Sequence, residues 1–261
     1  MTISVAQAQL FFLALTRILA TLIHIPVLGG RAIPNQIKIG LGVLVTIVLA
    51  GVALPGAPLP PEAPAMAPLT LVAALARELV VGTLAGFAAV LTFGAVQTAG
   101  ELMGLGSGFA SGRVFNPAFA DTGSALDQFF LIVATLLFVT TNGHHLALLA
   151  LRQTFVAVPL ASPVEQVLTA GGLDRVLTLM SQLFGAGVLL AAPIIGATLM
   201  ADVTLALLAR VAPQVHVFFL GMPLKVGLGL GVLALALAVL IPQVAGLMNE
   251  IGARMAWLIT N

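Results

Sequence analysis

The chain contains no cysteine, so no disulfide, thiolate metal site or cysteine nucleophile can be built from it. Charge is almost as scarce. Asp, Glu, Lys and Arg make up 7% of the residues, where soluble domains carry roughly a quarter. A chain of 261 residues cannot cover a soluble surface with so few charges, and 60% hydrophobic content marks it as a polytopic membrane protein. The net charge is +1, with no basic run and no basic helix, which argues against nucleic-acid binding. The N-terminus, MTISVAQAQLFFLALTRIL, lacks a basic n-region and a convincing cleavage site; it is expected to stay in place as a first membrane segment. The sequence also lacks G-x-S-x-G, H-E-x-x-H and paired membrane aspartates. The run GLGSGFASG has neither the Lys-Ser/Thr of a phosphate loop nor a strand before it. No enzyme activity, metal or cofactor is therefore expected.

What is present is a series of about six apolar segments, near residues 5–26, 37–54, 79–96, 125–148, 176–200 and 226–241. Each crosses or nearly crosses the ~30 Å of hydrocarbon in a bilayer. No soluble stretch is long enough to fold alone, so one all-α membrane domain over 1–261 is expected. Residues 55–68 (PGAPLPPEAPAMAP) form a proline-rich loop. Residues 159–172 form a second loop, ending in Gly171-Gly172 as a turn into a helix with Asp174 and Arg175 in its first turn. The third connector, 213–223 (PQVHVFFLGMP), is oddly apolar and reads as a re-entrant or interfacial tip. Basic residues give no orientation. Arg31, Lys38, Arg113, Arg210 and Lys225 fall on odd connectors, against Arg77, Arg152, Arg175 and Arg254 elsewhere, five to four.

Between the third and fourth segments lies AGELMGLGSGFASGRVFN, with Gly100, Gly104, Gly108 and Gly112 every four residues and Glu101 beside the first. As a helix this makes one bare stripe that another backbone can approach closely; as a loop it makes a mobile segment with little side-chain bulk. Two further small-residue pairs, Gly82/Gly86 and Gly227/Gly231, fit packing within one chain or against another subunit. Charges also stand at membrane depth: Arg17, Arg77, Glu78, Glu101, Asp127 and Asp202. At a bilayer centre each costs roughly 2.5–3.5 kcal/mol. Arg77 and Glu78 are read equally well as snorkelling to an interface. Arg17 and Glu101 are read as facing a protein interior or aqueous pore, paired with each other or with a partner chain. His144 and His145 follow Asn142-Gly143 and point to different faces of a helix, so the pair is read as bonding backbone at a kink rather than sharing a metal.

Taken in order, these residues resemble the FliR family (FliR/SctT-like), membrane proteins of the flagellar type III export gate related to the injectisome gate protein. The resemblance runs through Arg17, Pro26-Val27-Leu28-Gly29, Arg31-x-Ile33-Pro34-x3-Lys38, Arg77-Glu78 with Gly82, and Ala99-Gly100-Glu101-Leu102-Met103-Gly104. It continues in Asn116-Pro117 and Asn142-Gly143-His144-His145, and ends in Ala209-Arg210-x2-Pro213-Gln214 and Phe218-x2-Gly221-x-Pro223-Leu224-Lys225. Two positions depart from the family pattern, Asn116 where Asp is frequent and His216 where Asn is frequent.

The resemblance implies a non-enzymatic, channel-forming subunit of the bacterial inner membrane and flagellar basal body. It implies kinked helical hairpins, with 1–172 FliP-like and 173–261 a FliQ-like hairpin. It implies assembly with FliP and FliQ, contact with FlhB and FlhA, surrounding membrane lipid, and passage of unfolded flagellar export substrates. It further implies a plug-like segment near 106–122, with Gly104, Gly106, Gly108, Phe109, Gly112, Phe115 and Phe119 as pore or plug residues. Arg17, Arg77, Glu78, Glu101, Asp127, His144 and His145 become intramembrane or inter-subunit polar residues. Arg210, Pro213, Gln214, Pro223 and Lys225 become the cytoplasmic tip facing FlhB. The virulence injectisome counterpart is the alternative within the family. A small-molecule transporter would need an inverted repeat, and the two halves show none.

Overall fold

Ser4 opens the first helix as a capping box. Its hydroxyl accepts from the Gln7 N–H at 3.2 Å, and the Gln7 side chain accepts from the Ser4 N–H at 3.0 Å. Two otherwise orphaned donors are thereby satisfied at the end of an apolar helix. The computed structural model describes residues 4–30, 33–52, 65–110, 124–160, 170–214 and 216–260. Among them are nine helices and no strand: α1 (Val5–His24), α2 (Pro26–Gly29), α3 (Asn35–Val52), α4 (Pro68–Ser107), α5 (Ala125–Thr140), α6 (Gly143–Ala157), α7 (Ala170–Val211), α8 (Val217–Asn249) and α9 (Ile251–Thr260). The chain is all-α, as its composition requires. Four described stretches are long and apolar enough to cross a membrane, within α1, α4, α7 and α8–α9, and α5 with α6 qualifies as a broken fifth span. The second expected segment, α3, is a shorter apolar helix.

Several boundaries differ from the sequence reading, most of them toward more helix, although the expected fourth segment, 125–148, is broken between Thr140 and Gly143. The third segment grows into a helix of 40 residues and the fifth into one of 42. The glycine stripe is helical through Ser107, so its first half is a packing face and not a loop. Gly171 and Gly172 lie inside the first turn of α7 rather than in a turn before it, which puts Asp174 and Arg175 beyond that first turn. The apolar connector shrinks to the five residues between Val211 and Val217, and Pro223 sits within α8. Glycine and proline are poor helix formers in water, but in hydrocarbon a broken helix leaves backbone groups with no water to bond, so helix persists through them. Pro193 and Pro242 are carried inside α7 and α8 in the same way.

The chain divides into two compact units: Met1–Leu91 with Asn142–Leu179 and Asn249–Asn261, and Thr92–Thr141 with Met180–Met248. In the first unit α1 meets α4 through small residues. A methyl group on Gly82 would meet the Arg17 carbonyl oxygen and Ala20, and one on Gly86 would lie 2.8 Å from the Thr21 oxygen. At this contact the Thr21 hydroxyl stands 2.9 Å from the Arg17 carbonyl and 3.1 Å from that of Gly82. The α3 helix packs on α1, with Gly42 against Leu19. The Lys38 ammonium donates to the Gly29 carbonyl at 2.8 Å, closing α2. The α9 helix packs on α6, where Gly252 sits against the Leu146 carbonyl.

In the second unit the C-terminal half of α4 is the hub. Phe93 stacks edge-on against Phe138 of α5 at 5.5 Å. Gly187 of α7 lies against the Ala95 carbonyl, Gly106 against Thr198, and Gly229 of α8 against Ser107. α4 then stops at Gly108, whose φ of 83° is a left-handed conformation that favours glycine.

Candidate functional site

Three polar places organise the described structure. The first is buried in the first unit. Arg17 of α1 and Glu78 of α4 are both fully inaccessible, and the Arg17 Nε donates to Glu78 Oε2 at 2.5 Å. Arg77, also buried, pairs with Glu78 Oε1. The Arg17 Nη1 donates to the carbonyls of Thr154 and Val158 at 2.9 and 2.8 Å, and the Arg77 Nη2 to that of Pro159 at 3.0 Å. The Arg17 guanidinium also lies over the Phe155 ring, 4.4 Å from its centre. Arg77 and Glu78 are thus enclosed by protein and do not snorkel, and the partner of Arg17 is Glu78 on the next long helix.

The second place is where the glycine stripe of α4 meets the start of α5. A methyl group on Gly100 would lie 2.7 Å from the Asp127 Cα and 2.8 Å from the Leu126 oxygen, and one on Gly104 would meet the Ser124 hydroxyl. Ser124 caps α5, accepting from the Asp127 N–H at 3.0 Å. Asp127 stands in the first turn of α5, where a carboxylate suits the helix dipole. Glu101, half-buried, follows Gly100. Gly106 is in α4, while Gly108 and Phe109 follow its end. Gly112, Phe115 and Phe119, and with them most of the expected plug, lie outside the described residues.

The third place is the α7–α8 hairpin. Arg210, Pro213, Gln214 and Pro223 are exposed around its turn. Lys225 of α8, half-buried, forms an ion pair with Asp202 of α7. At the α5–α6 break, Asn142 takes a left-handed φ of 57°. The two histidines that follow it separate as a helix requires, His144 half-buried and His145 exposed. Among the described residues no group of three or more His, Cys, Asp or Glu is placed to hold a metal ion.

Three features escaped the sequence reading. The carbonyls of Thr154, Val158 and Pro159 are backbone groups and carry no side-chain signal. Phe155 reads as one more apolar residue. The Asp202–Lys225 pair had a signal, because the two charges stand nearly equidistant from the turn of a hairpin.

Helices of this length and apolarity, with Arg17, Arg77 and Glu78 enclosed by protein, define a multi-pass α-helical membrane protein. The model of the family described as bacterial export proteins, family 1, matches residues 8–251. The flagellar biosynthetic protein FliR of Pectobacterium carotovorum is 33% identical over 96% of this chain and 92% of its own length. FliR of Escherichia coli K12 is 30% identical over 97% and 93%. The Yop proteins translocation protein T of Yersinia pestis is 34% identical over 60% of this chain and 59% of its own. The chain therefore belongs to the bacterial export proteins, family 1, on the flagellar FliR side, and is a membrane component of flagellar type III export.

Proposed function

We propose that the chain is a channel-forming subunit of the flagellar export gate in the bacterial inner membrane. It assembles there with FliP and FliQ homologues, beside FlhB and FlhA, to pass unfolded flagellar proteins. The observation that carries this reading is the mismatch between helix length and bilayer. At 1.5 Å per residue a helix of 42 residues is about 60 Å long, roughly twice the hydrocarbon thickness. Yet α7 keeps large apolar side chains outward from Leu173 to Val211. In the most apolar stretch of α8–α9 only 17% of residues are buried. Lipid covers about half of such a helix, and the remainder needs apolar cover from other protein chains.

The glycine-rich stretch after α4, with Phe109, Phe115 and Phe119, is the plug that closes the pore in this reading, and Arg210, Pro213, Gln214, Pro223 and Lys225 form the tip that meets FlhB. The injectisome alternative is less favoured, since the two FliR relatives named above align over 96% and 97% of the chain and the Yop proteins translocation protein T over 60% of it. Native mass spectrometry of the chain co-expressed with FliP and FliQ homologues tests the assembly. A discrete complex with one copy of this chain and several of each partner is expected; a chain that stays alone or only self-associates overturns the proposal. In the same complex placed in liposomes, Phe115→Ala with Phe119→Ala should raise ion leak, and unchanged leak removes the plug from the reading.

A further inference from the structure

Polar contacts tie α1 to α4 in the same order along both helices: Gln9 to Met66, Arg17 to Glu78, and Thr21 to Gly82. The two helices therefore run parallel. Between these contacts the crossing is built from small residues, with Gly82 against Arg17 and Ala20 and Gly86 against Thr21 and His24. Glycines four residues apart present the same bare surface one turn along, so such packing does not choose a register by itself. The Gln9 contact is of another kind. Its Nε2 donates to the Met66 carbonyl at 3.1 Å, and its Oε1 accepts from the Met66 N–H at 2.8 Å. One half-buried carboxamide thereby engages both backbone groups of one residue, as an opposing strand would.

A residue inside a helix does not offer that pair, because its N–H and carbonyl are both engaged in the ladder. In the first turn the N–H groups are free but the carbonyls are not. Both groups are free together only outside the helix. Met66 stands just outside: the next residue, Ala67, accepts from the Leu71 N–H at 2.9 Å and opens α4 ahead of Pro68. Ala67 has no side-chain oxygen with which to cap the helix. The geometry points to Gln9 as the register pin of the α1–α4 pair, a side chain on one helix that fixes where the other begins. A slide of one turn in either direction breaks both bonds to Met66. Toward the helix, the carboxamide then meets carbonyls that are already engaged, and an amide left unpaired in apolar surroundings is costly. The pin grips backbone only, so the Met66 side chain takes no part. This role is independent of what the chain assembles with.

Hydrogen–deuterium exchange of the full chain in mild detergent, followed by mass spectrometry, tests the pin. Gln9→Leu removes both bonds; it should raise exchange over residues 65–72 about tenfold or more and leave residues 76–86, around Glu78 and Gly82, unchanged. Gln9→Asn keeps the carboxamide and shortens its reach, and should do the same. Met66→Ala keeps the backbone and should exchange as the parent chain does. Unchanged exchange over 65–72 in Gln9→Leu overturns the pin. An equal rise over 76–86 does so too, because the loosening is then general. A rise in Met66→Ala as large as that in Gln9→Leu also overturns it, because the side chain at 66 then makes the contact. Should Gln9→Leu fail to accumulate, Gln9→Asn decides by the same criteria.

Discussion

Glycine 82 and glycine 227 have the same spacing to a second glycine four residues on, and opposite surroundings. A methyl group on Gly82 meets the Arg17 carbonyl oxygen and lies 2.7 Å from the Ala20 Cβ, atoms of a neighbouring helix that cannot swing aside. The hydroxyl of Thr21 also bonds the Gly82 carbonyl at this crossing, so moving α4 away sacrifices a buried hydrogen bond. Gly82→Ala should therefore destabilise the chain by about 1–3 kcal/mol. Around Gly227 and Gly231 there is open space within the chain. There an added methyl group gains helix propensity, worth up to about 1 kcal/mol, and loses nothing internal. Thermal melting of the two variants in detergent, each chain alone, separates the cases. A drop for Gly227→Ala equal to that for Gly82→Ala would show that Gly227 is also used inside the chain. A sequence assigns both pairs the same motif; only the neighbouring helix tells them apart.

At the scale of elements, specific contacts tie α7 to α8. Gly221 faces Leu205, and Lys225 pairs with Asp202. The pair is partly exposed, its side chains 24% and 47% accessible, so its worth is that of a surface bridge, about 0.5–1 kcal/mol. Asp202→Lys should cost somewhat more, by setting two cations together, and Lys225→Asp added to it should restore most of the loss. The check is a double-mutant cycle of melting temperatures; a double variant no more stable than Asp202→Lys alone removes the pair as a register device. Periodicity and composition made the helical class legible, because apolar runs this long leave no other fold in lipid. Boundaries were less legible. Reading Gly171-Gly172 and Pro223 as breaks, and leaving Gly100 to Ser107 open to a loop, applied rules of aqueous helices to segments where backbone has no water to turn to. The buried cluster was half legible. Arg17, Arg77 and Glu78 stood out as charges at membrane depth, but their acceptors on α6 are carbonyl oxygens that any residue provides.

For the whole molecule, the decisive quantity is how much apolar helix lipid can cover. A bilayer shields about 20 residues of a helix, and α7 has 42. Its outward apolar positions include Leu173, Leu177, Phe184, Leu189, Leu199, Val203 and Leu207, spread along almost its whole length. Single cysteines at these positions in the cysteine-free chain, probed in membranes with a water-soluble maleimide, should divide sharply when the chain is expressed alone. A contiguous window of about 20 residues should resist labelling, and positions beyond it should react. Co-expression with FliP and FliQ homologues should then protect the reactive positions, because protein replaces water over that part of α7. A window covering all seven positions in the chain alone would mean that α7 lies within lipid or its own fold. A labelling pattern that partners leave unchanged would mean that they do not cover it. In either case the excess helix would no longer support a place in a larger assembly. Protection that appears only with partners would identify the part of α7 outside the bilayer as assembly surface and explain why a chain with so little charge keeps so much apolar helix beyond the reach of lipid.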